Sequence, residues 1–186
     1  MSKVYFATSN PWKYREVKEK FEKADLDIGQ INMQLLEIQD GGHKEIALTS
    51  ARDAFEKEEK PLFVEDAGLH IKALKGFPGE FSAYVFKTLG IKGILKLMEN
   101  VKNREAEFIS VISYKDSEQE KVFKAVCRGS ITCEVRGKDG FGYDPIFKPK
   151  GHDDTFAEDY SLKKELSHRV KSTDMIINWL KDGKKD

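Results

Sequence analysis

The stretch Val4-Tyr5-Phe6-Ala7-Thr8-Ser9-Asn10-Pro11-Trp12-Lys13 decides the fold class. Its first four residues are a short apolar run, which reads as a buried strand. Asn10 is a preferred helix N-cap, and Pro11 suits the first helical position. Tyr14, Val17 and Phe21 then recur at helical spacing, which predicts a helix over residues 11–23.

Working outward, residues 26–31 read as a second strand and 45–58 as a second helix, with Ile46, Ala47, Ala51, Ala54 and Phe55 inward. Residues 62–64 read as another short buried strand, ending at Glu65-Asp66-Ala67-Gly68. Gly76-Phe77-Pro78-Gly79 is a turn-rich loop, followed by short helices over 82–89 and 91–99. Two β-rich runs, 105–114 and 121–133, flank a polar stretch and read as a hairpin. A Gly-rich loop over 136–145 leads to a short strand at 146–147. The chain then ends in a long helix over 161–181, capped by Ser161 and carrying an inward stripe from Leu162 to Leu180. This order predicts an α/β fold with an elongated mixed sheet flanked by helices. No repeat or linker divides residues 1–186, so one domain is expected.

Composition narrows the function. Hydrophobic residues make up 39% of the chain and there are 12 Phe, so a packed core is expected rather than disorder. Lys plus Arg and Asp plus Glu number 32 each, so the basic excess of a general nucleic-acid binder is missing. Cys127 and Cys133 form no CxxC pair and no Cys/His cluster, which argues against structural zinc. Six residues apart on one predicted strand, they are expected to face the same side as buried thiols. No signal peptide is visible and no apolar run approaches the roughly 20 residues of a membrane span, so a cytoplasmic protein is expected.

Four groups of residues can carry chemistry. The helix start after Thr8, Ser9 and Asn10 offers N–H groups to an anion, and Lys13 adds an ammonium; the plain alternative is an ordinary capped helix. Glu65 and Asp66, at a strand end, offer hard oxygens to Mg²⁺, and Glu37, just beyond the second strand, can join them; the alternative is surface acids near a turn. In Gly140-Phe141-Gly142-Tyr143-Asp144-Pro145, Phe141 or Tyr143 can stack on a nucleobase, unless these aromatics plug the core. Lys163, Ser167, His168 and Arg169 interrupt the last amphipathic helix with hydrogen-bond donors, unless they are structural. Together these groups make up the parts of a nucleoside triphosphate pocket.

At this point the chain resembles a known family, the inosine triphosphate pyrophosphatases, also called Ham1-like or non-canonical purine NTP pyrophosphatases. The matching stretches are TSNPWK (8–13), LEIQ (36–39), VEDAGL (64–69), LKGFPGEFSAYV (74–85), GFGYDPIF (140–147), TFAE (155–158) and LSHR (166–169). The resemblance implies hydrolysis of ITP, dITP and XTP to the monophosphate and pyrophosphate, which cleanses the nucleotide pool. It implies a triphosphate loop at Thr8, Ser9, Asn10 and Lys13. It implies metal-binding acids at Glu37 and Asp66, with Asp66 also the general base, and Ala67 in the turn that touches substrate. Phe141, Gly142, Tyr143 and Asp144 match the segment that packs on the base, and Lys163, His168 and Arg169 match further nucleotide contacts. The implied fold has two lobes with a central substrate cleft, and the implied assembly is a homodimer. The chain departs from its relatives at Ser50, where many carry Lys, at Asp159, where Met is common, and at Leu162, where an acid is frequent.

The mechanism expected from these residues is attack of water on the α-phosphorus, with Mg²⁺ on Glu37 and Asp66, Glu65 in support, and Lys13 at the departing pyrophosphate. Donors from Arg169, His168 or backbone N–H would favour a 6-keto purine over adenine. The alternatives are a phosphatase releasing orthophosphate, a non-catalytic nucleotide-binding protein and an RNA-binding module.

Overall fold

The computed structural model describes residues 3–35 and 41–183. Strand β1 (Val4–Ala7) leads into helix α1 (Pro11–Lys23), then β2 (Ile28–Ile31), α2 (Gly42–Glu58) and β3 (Leu62–Ile71). Helices α3 (Ser82–Thr88) and α4 (Gly90–Leu97) follow, then β4 (Glu105–Lys115), β5 (Glu120–Ile131), β6 (Phe147–Pro149), α5 (Tyr160–Leu166) and α6 (His168–Lys181). The strands form one mixed sheet in the order β2-β1-β3-β4-β5-β6. β1 pairs in parallel with β2 and β3, whereas β5 and β6 are antiparallel. The α/β class read from the sequence is the class observed. Among the described residues, no helix is long and apolar enough to cross a membrane.

The chain forms two compact units. The first comprises residues 1–66, 110–125 and 169–186; the second comprises residues 67–109 and 126–168. In the first, Val17 and Phe21 of α1 pack with Phe6, Phe63 and Ile176. Phe63 stacks on Phe6 at 4.8 Å and on Phe21 at 5.8 Å. In the second, Leu69, Val85, Ile94, Phe108, Phe147 and Phe156 share a separate core. Burying such apolar surface is the main favourable term in folding both units. In the second unit Ser82 Oγ accepts from Leu69 N at 2.8 Å and donates to the Gly79 carbonyl at 2.6 Å, which ties the turn-rich loop to β3.

Asn10 caps α1 as its sequence suggests, its side chain accepting from Trp12 N and Lys13 N, with Pro11 in the first turn. Elsewhere tertiary context moved the elements. β3 continues through Glu65-Asp66-Ala67-Gly68 to Ile71, because pairing within the sheet outweighs the poor strand propensity of those residues. The last helix is two helices. Ser167 adopts extended backbone (φ −63°, ψ 154°) between α5 and α6, where the chain leaves the second unit for the first. The cap of α5 is Asp159, not Ser161: its carboxylate accepts from Ser161 N at 2.9 Å and from the Ser161 hydroxyl at 2.5 Å. Cys127 is buried in β5, but Cys133 lies past the end of that strand and is exposed, so the two do not share a face and no disulfide joins them.

Candidate active site

In the first unit the chemistry centres on Glu65 and Asp66. Adjacent residues of a strand point to opposite faces, and the two acids accordingly meet different partners. Glu65 is fully buried and accepts an ion pair from Lys13 Nζ at 2.9 Å. Its Oε1 takes the Ser110 hydroxyl at 2.7 Å and lies 3.3 Å from Arg169 Nε. Lys13 also donates to the Glu65 carbonyl at 3.0 Å, and Arg169 Nη1 pairs with Glu16 at 2.7 Å. Burial works against the Arg169 charge, but Glu65 and Glu16 more than offset it and hold the guanidinium above its ordinary pKa. Glu65 is therefore the centre of a buried ion-pair cluster, and its oxygens are already engaged by cations. The sequence expects Glu65 to support a metal beside Asp66; here its carboxylate pairs with Lys13 and Arg169.

Asp66 meets His43 instead. His43 Nδ1 lies 2.5 Å from Asp66 Oδ2, with side-chain exposures of 5% and 19%. His43 belongs to the buried side of α2, in phase with Ile46, Ala47 and Ser50. Nothing in the sequence analysis singled it out, although a histidine in step with an inward apolar stripe is a buried polar group that requires a partner. Ser50 is buried in the same helix.

The anion-site expectation at α1 changes in detail. The N–H groups of Trp12 and Lys13 bond to Asn10 Oδ1 at 3.0 and 3.3 Å, and Asn10 N donates to Thr8 Oγ1 at 3.1 Å. Thr8 is buried and Ser9 is exposed. The cap thus uses the N–H groups of the helix start, leaving the Ser9 hydroxyl exposed, while the Lys13 ammonium is held by Glu65. Glu37 lies outside the described residues.

In the second unit Asp144 organises the Gly-rich loop. Its Oδ2 accepts from Phe141 N at 2.7 Å and from Lys163 Nζ at 2.6 Å, with both charged side chains buried. The Lys163 ammonium also sits 4.0 Å from the centre of the Phe141 ring, a cation–π contact that fixes the plane of that ring. Gly140 is obligatory here: its φ is +76° and a Cβ would fall 2.2 Å from Asp144 Oδ2. Phe141 and Gly142 stay partly exposed, whereas Tyr143 is buried. Tyr143 donates to the Ser82 carbonyl at 3.0 Å and meets Phe86 edge-on, and burial pushes its phenol pKa up. It is a core residue, so Phe141 is the aromatic of this loop that keeps partial exposure. His168 stacks on Phe108 at 4.5 Å, so it is buried against the core rather than displayed on a helix face. Ala67, partly exposed, follows Asp66 on β3.

Chemically, Asp66 is a carboxylate with Oδ2 fixed by a buried imidazole and Oδ1 remaining for water or a cation. A hard oxygen donor of this kind fits Mg²⁺.

The Ham1 family profile matches residues 4–179. The chain is similar to the dITP/XTP pyrophosphatase of Methanopyrus kandleri, at 46% identity over 97% of each chain. It is similar to the protein of the same description from Thermococcus kodakarensis, at 44% identity over 98% of this chain and 100% of that one. Its fold matches the structure of a HAM1 protein from Coxiella burnetii with a TM-score of 0.86 at 30% identity, covering 98% of this chain and 100% of that one. With nearly its whole length matched by profile, sequence and fold, the chain belongs to the Ham1 family.

Proposed function

We propose that this chain hydrolyses non-canonical purine nucleoside triphosphates, namely ITP, dITP and XTP, to the nucleoside monophosphate and pyrophosphate. The observation that carries the reading is the Asp66 carboxylate, oriented by a buried imidazole on the strand that also holds the Lys13–Glu65 pair. In this reading Asp66 Oδ1 accepts a proton from water as the water oxygen bonds to the α-phosphorus. The bond from that phosphorus to the β-phosphate bridging oxygen breaks, and pyrophosphate leaves. Lys13, held by Glu65, places its charge against the phosphates. Asp66, with Glu37, would hold a divalent cation such as Mg²⁺, which would supply charge neutralisation.

Phe141 stacks on the purine, and a donor of the same unit, from Lys163, His168 or a backbone N–H, meets its 6-keto oxygen. An adenine amine would set donor against donor, a penalty of ~1–3 kcal/mol for each buried group left unpaired. We read the chain as one functional domain acting on the cytoplasmic nucleotide pool, and as a homodimer, which light scattering in solution tests.

The deciding experiment is a Mg²⁺-dependent assay with ITP, dITP, XTP, GTP and ATP, run beside Asp66→Asn. Pyrophosphate release from the first three, lost in the variant, supports the reading. Orthophosphate as the only product identifies a phosphatase, and binding without turnover identifies a nucleotide-binding protein.

A further inference from the structure

We infer that His43 is a positioning residue for Asp66, fixing which carboxylate oxygen faces the reaction. The inference rests on the function proposed above and adds a residue to it. A carboxylate without a proton can only accept, so the 2.5 Å contact is a hydrogen bond from the ring Nδ1–H to Asp66 Oδ2. With Oδ2 committed, the carboxylate cannot rotate about its own axis without losing that bond, and Oδ1 is left as the atom that meets water.

Three features make the contact a built one. First, His43 is 5% exposed, so its bond to Asp66 is shielded from water that would compete for it. Second, the ring enters from the first turn of α2, whose inward face continues through Ile46, Ala47, Ala51 and Ala54. The imidazole is thereby anchored by the packing of a 17-residue helix rather than by a loop. Third, the turn before it is made for this entry. Gly41 has φ 102°, and a Cβ there would meet Glu45 Cβ at 2.9 Å, so glycine lets the chain reach helix α2 with His43 facing β3. Asp66, by contrast, lies on a sheet strand. One rigid element therefore aligns a group on another, as hydrogen-bonding partners of reactive carboxylates commonly do.

The test compares wild type with His43→Gln, His43→Ala, Asp66→Asn and the His43→Ala/Asp66→Asn double variant. Each is assayed for pyrophosphate release per folded molecule, with folding followed by thermal melting. Loss of such a partner costs roughly 10–100-fold, so kcat of His43→Ala should fall by that factor while KM for ITP stays near wild type. His43→Gln, which keeps an amide N–H, should recover part of the loss. In the double variant the His43 change should cost nothing beyond Asp66→Asn, because its effect passes through that carboxylate.

A second readout does not depend on turnover. The ring Nδ1–H proton of His43 should give a sheltered, downfield NMR signal in the wild type that vanishes in Asp66→Ala. A wild-type kcat in folded His43→Ala, additive losses in the double variant, or an NMR signal indifferent to Asp66→Ala overturns the inference. A wild-type protein that releases no pyrophosphate from any purine triphosphate, yet shows the Asp66-dependent signal, overturns the proposed function and leaves the pairing in place.

Discussion

Lys163 Nζ lies 2.6 Å from Asp144 Oδ2, and the exposures of the two side chains are 3% and 4%. The same oxygen holds Phe141 N, so one buried ion pair sets the height and tilt of the exposed ring above it. The pair thereby links the core of the second unit to the surface group proposed to stack on the purine.

Breaking that pair from one side leaves a buried charge without its partner, which typically costs ~3–5 kcal/mol. Lys163→Met should therefore lower Tm by roughly 6–20 °C for a chain of this size. Adding Asp144→Leu to Lys163→Met should return part of the lost stability, since no charge then remains buried. Calorimetry on the single and double variants checks both signs.

Gly140→Ala places a methyl group on Asp144 Oδ2 at a backbone angle that alanine rarely adopts. The loop must shift, and Phe141 shifts with it. KM for ITP should rise several-fold, with the Glu65 cluster and the His43–Asp66 pair untouched because they belong to the other unit. A KM equal to wild type would separate Phe141 from base binding.

Phe141→Ala should cost the stacking energy of one base, ~1–3 kcal/mol. That is a rise in KM of about 5- to 150-fold, similar for ITP and XTP because every purine presents a π-face. Tyr143→Phe, by contrast, removes only the bond to the Ser82 carbonyl and should lower Tm while leaving KM near wild type. Steady-state kinetics on both variants tests the division of roles.

Glu65→Gln takes the negative charge from between Lys13 and Arg169. Two cations then lose their shared counter-charge, one of them deeply buried, and stability should fall by about 3 kcal/mol. The Mg²⁺ concentration needed for half-maximal rate should not change by more than about twofold, since Glu65 is read as a partner of cations in the protein rather than of the metal. A large rise in that concentration would return Glu65 to the metal site.

Removal of divalent metal with EDTA should abolish pyrophosphate release, and added Mg²⁺ should restore it. Turnover that survives the chelator would mean that Asp66 acts without a cation.

Much of the fold was legible locally. The spacing of Tyr14, Val17 and Phe21 together with Asn10 and Pro11 fixes α1 to the residue, because helix period and capping are short-range effects. β3 runs beyond the stretch its sequence predicts, since Glu65-Asp66-Ala67-Gly68 has little strand propensity of its own and is held extended by its neighbours in the sheet. The break at Ser167 and the cap at Asp159 were also hidden, because both depend on where the chain must turn rather than on what it prefers.

The sequence by itself determined the α/β class, the identity of the chemical groups and the family they spell out: acids at the end of a strand, a lysine in the first helix, an aromatic among glycines. Only the tertiary structure decided which of these groups touch. Glu65 and Asp66 are neighbours in the chain, yet the alternation of a strand sends one to Lys13 and Arg169 and the other to His43. Arg169 and Glu16 are 153 residues apart and His43 and Asp66 are 23 apart. Contacts at such separations come from the packing of whole elements against one another, which no local pattern encodes.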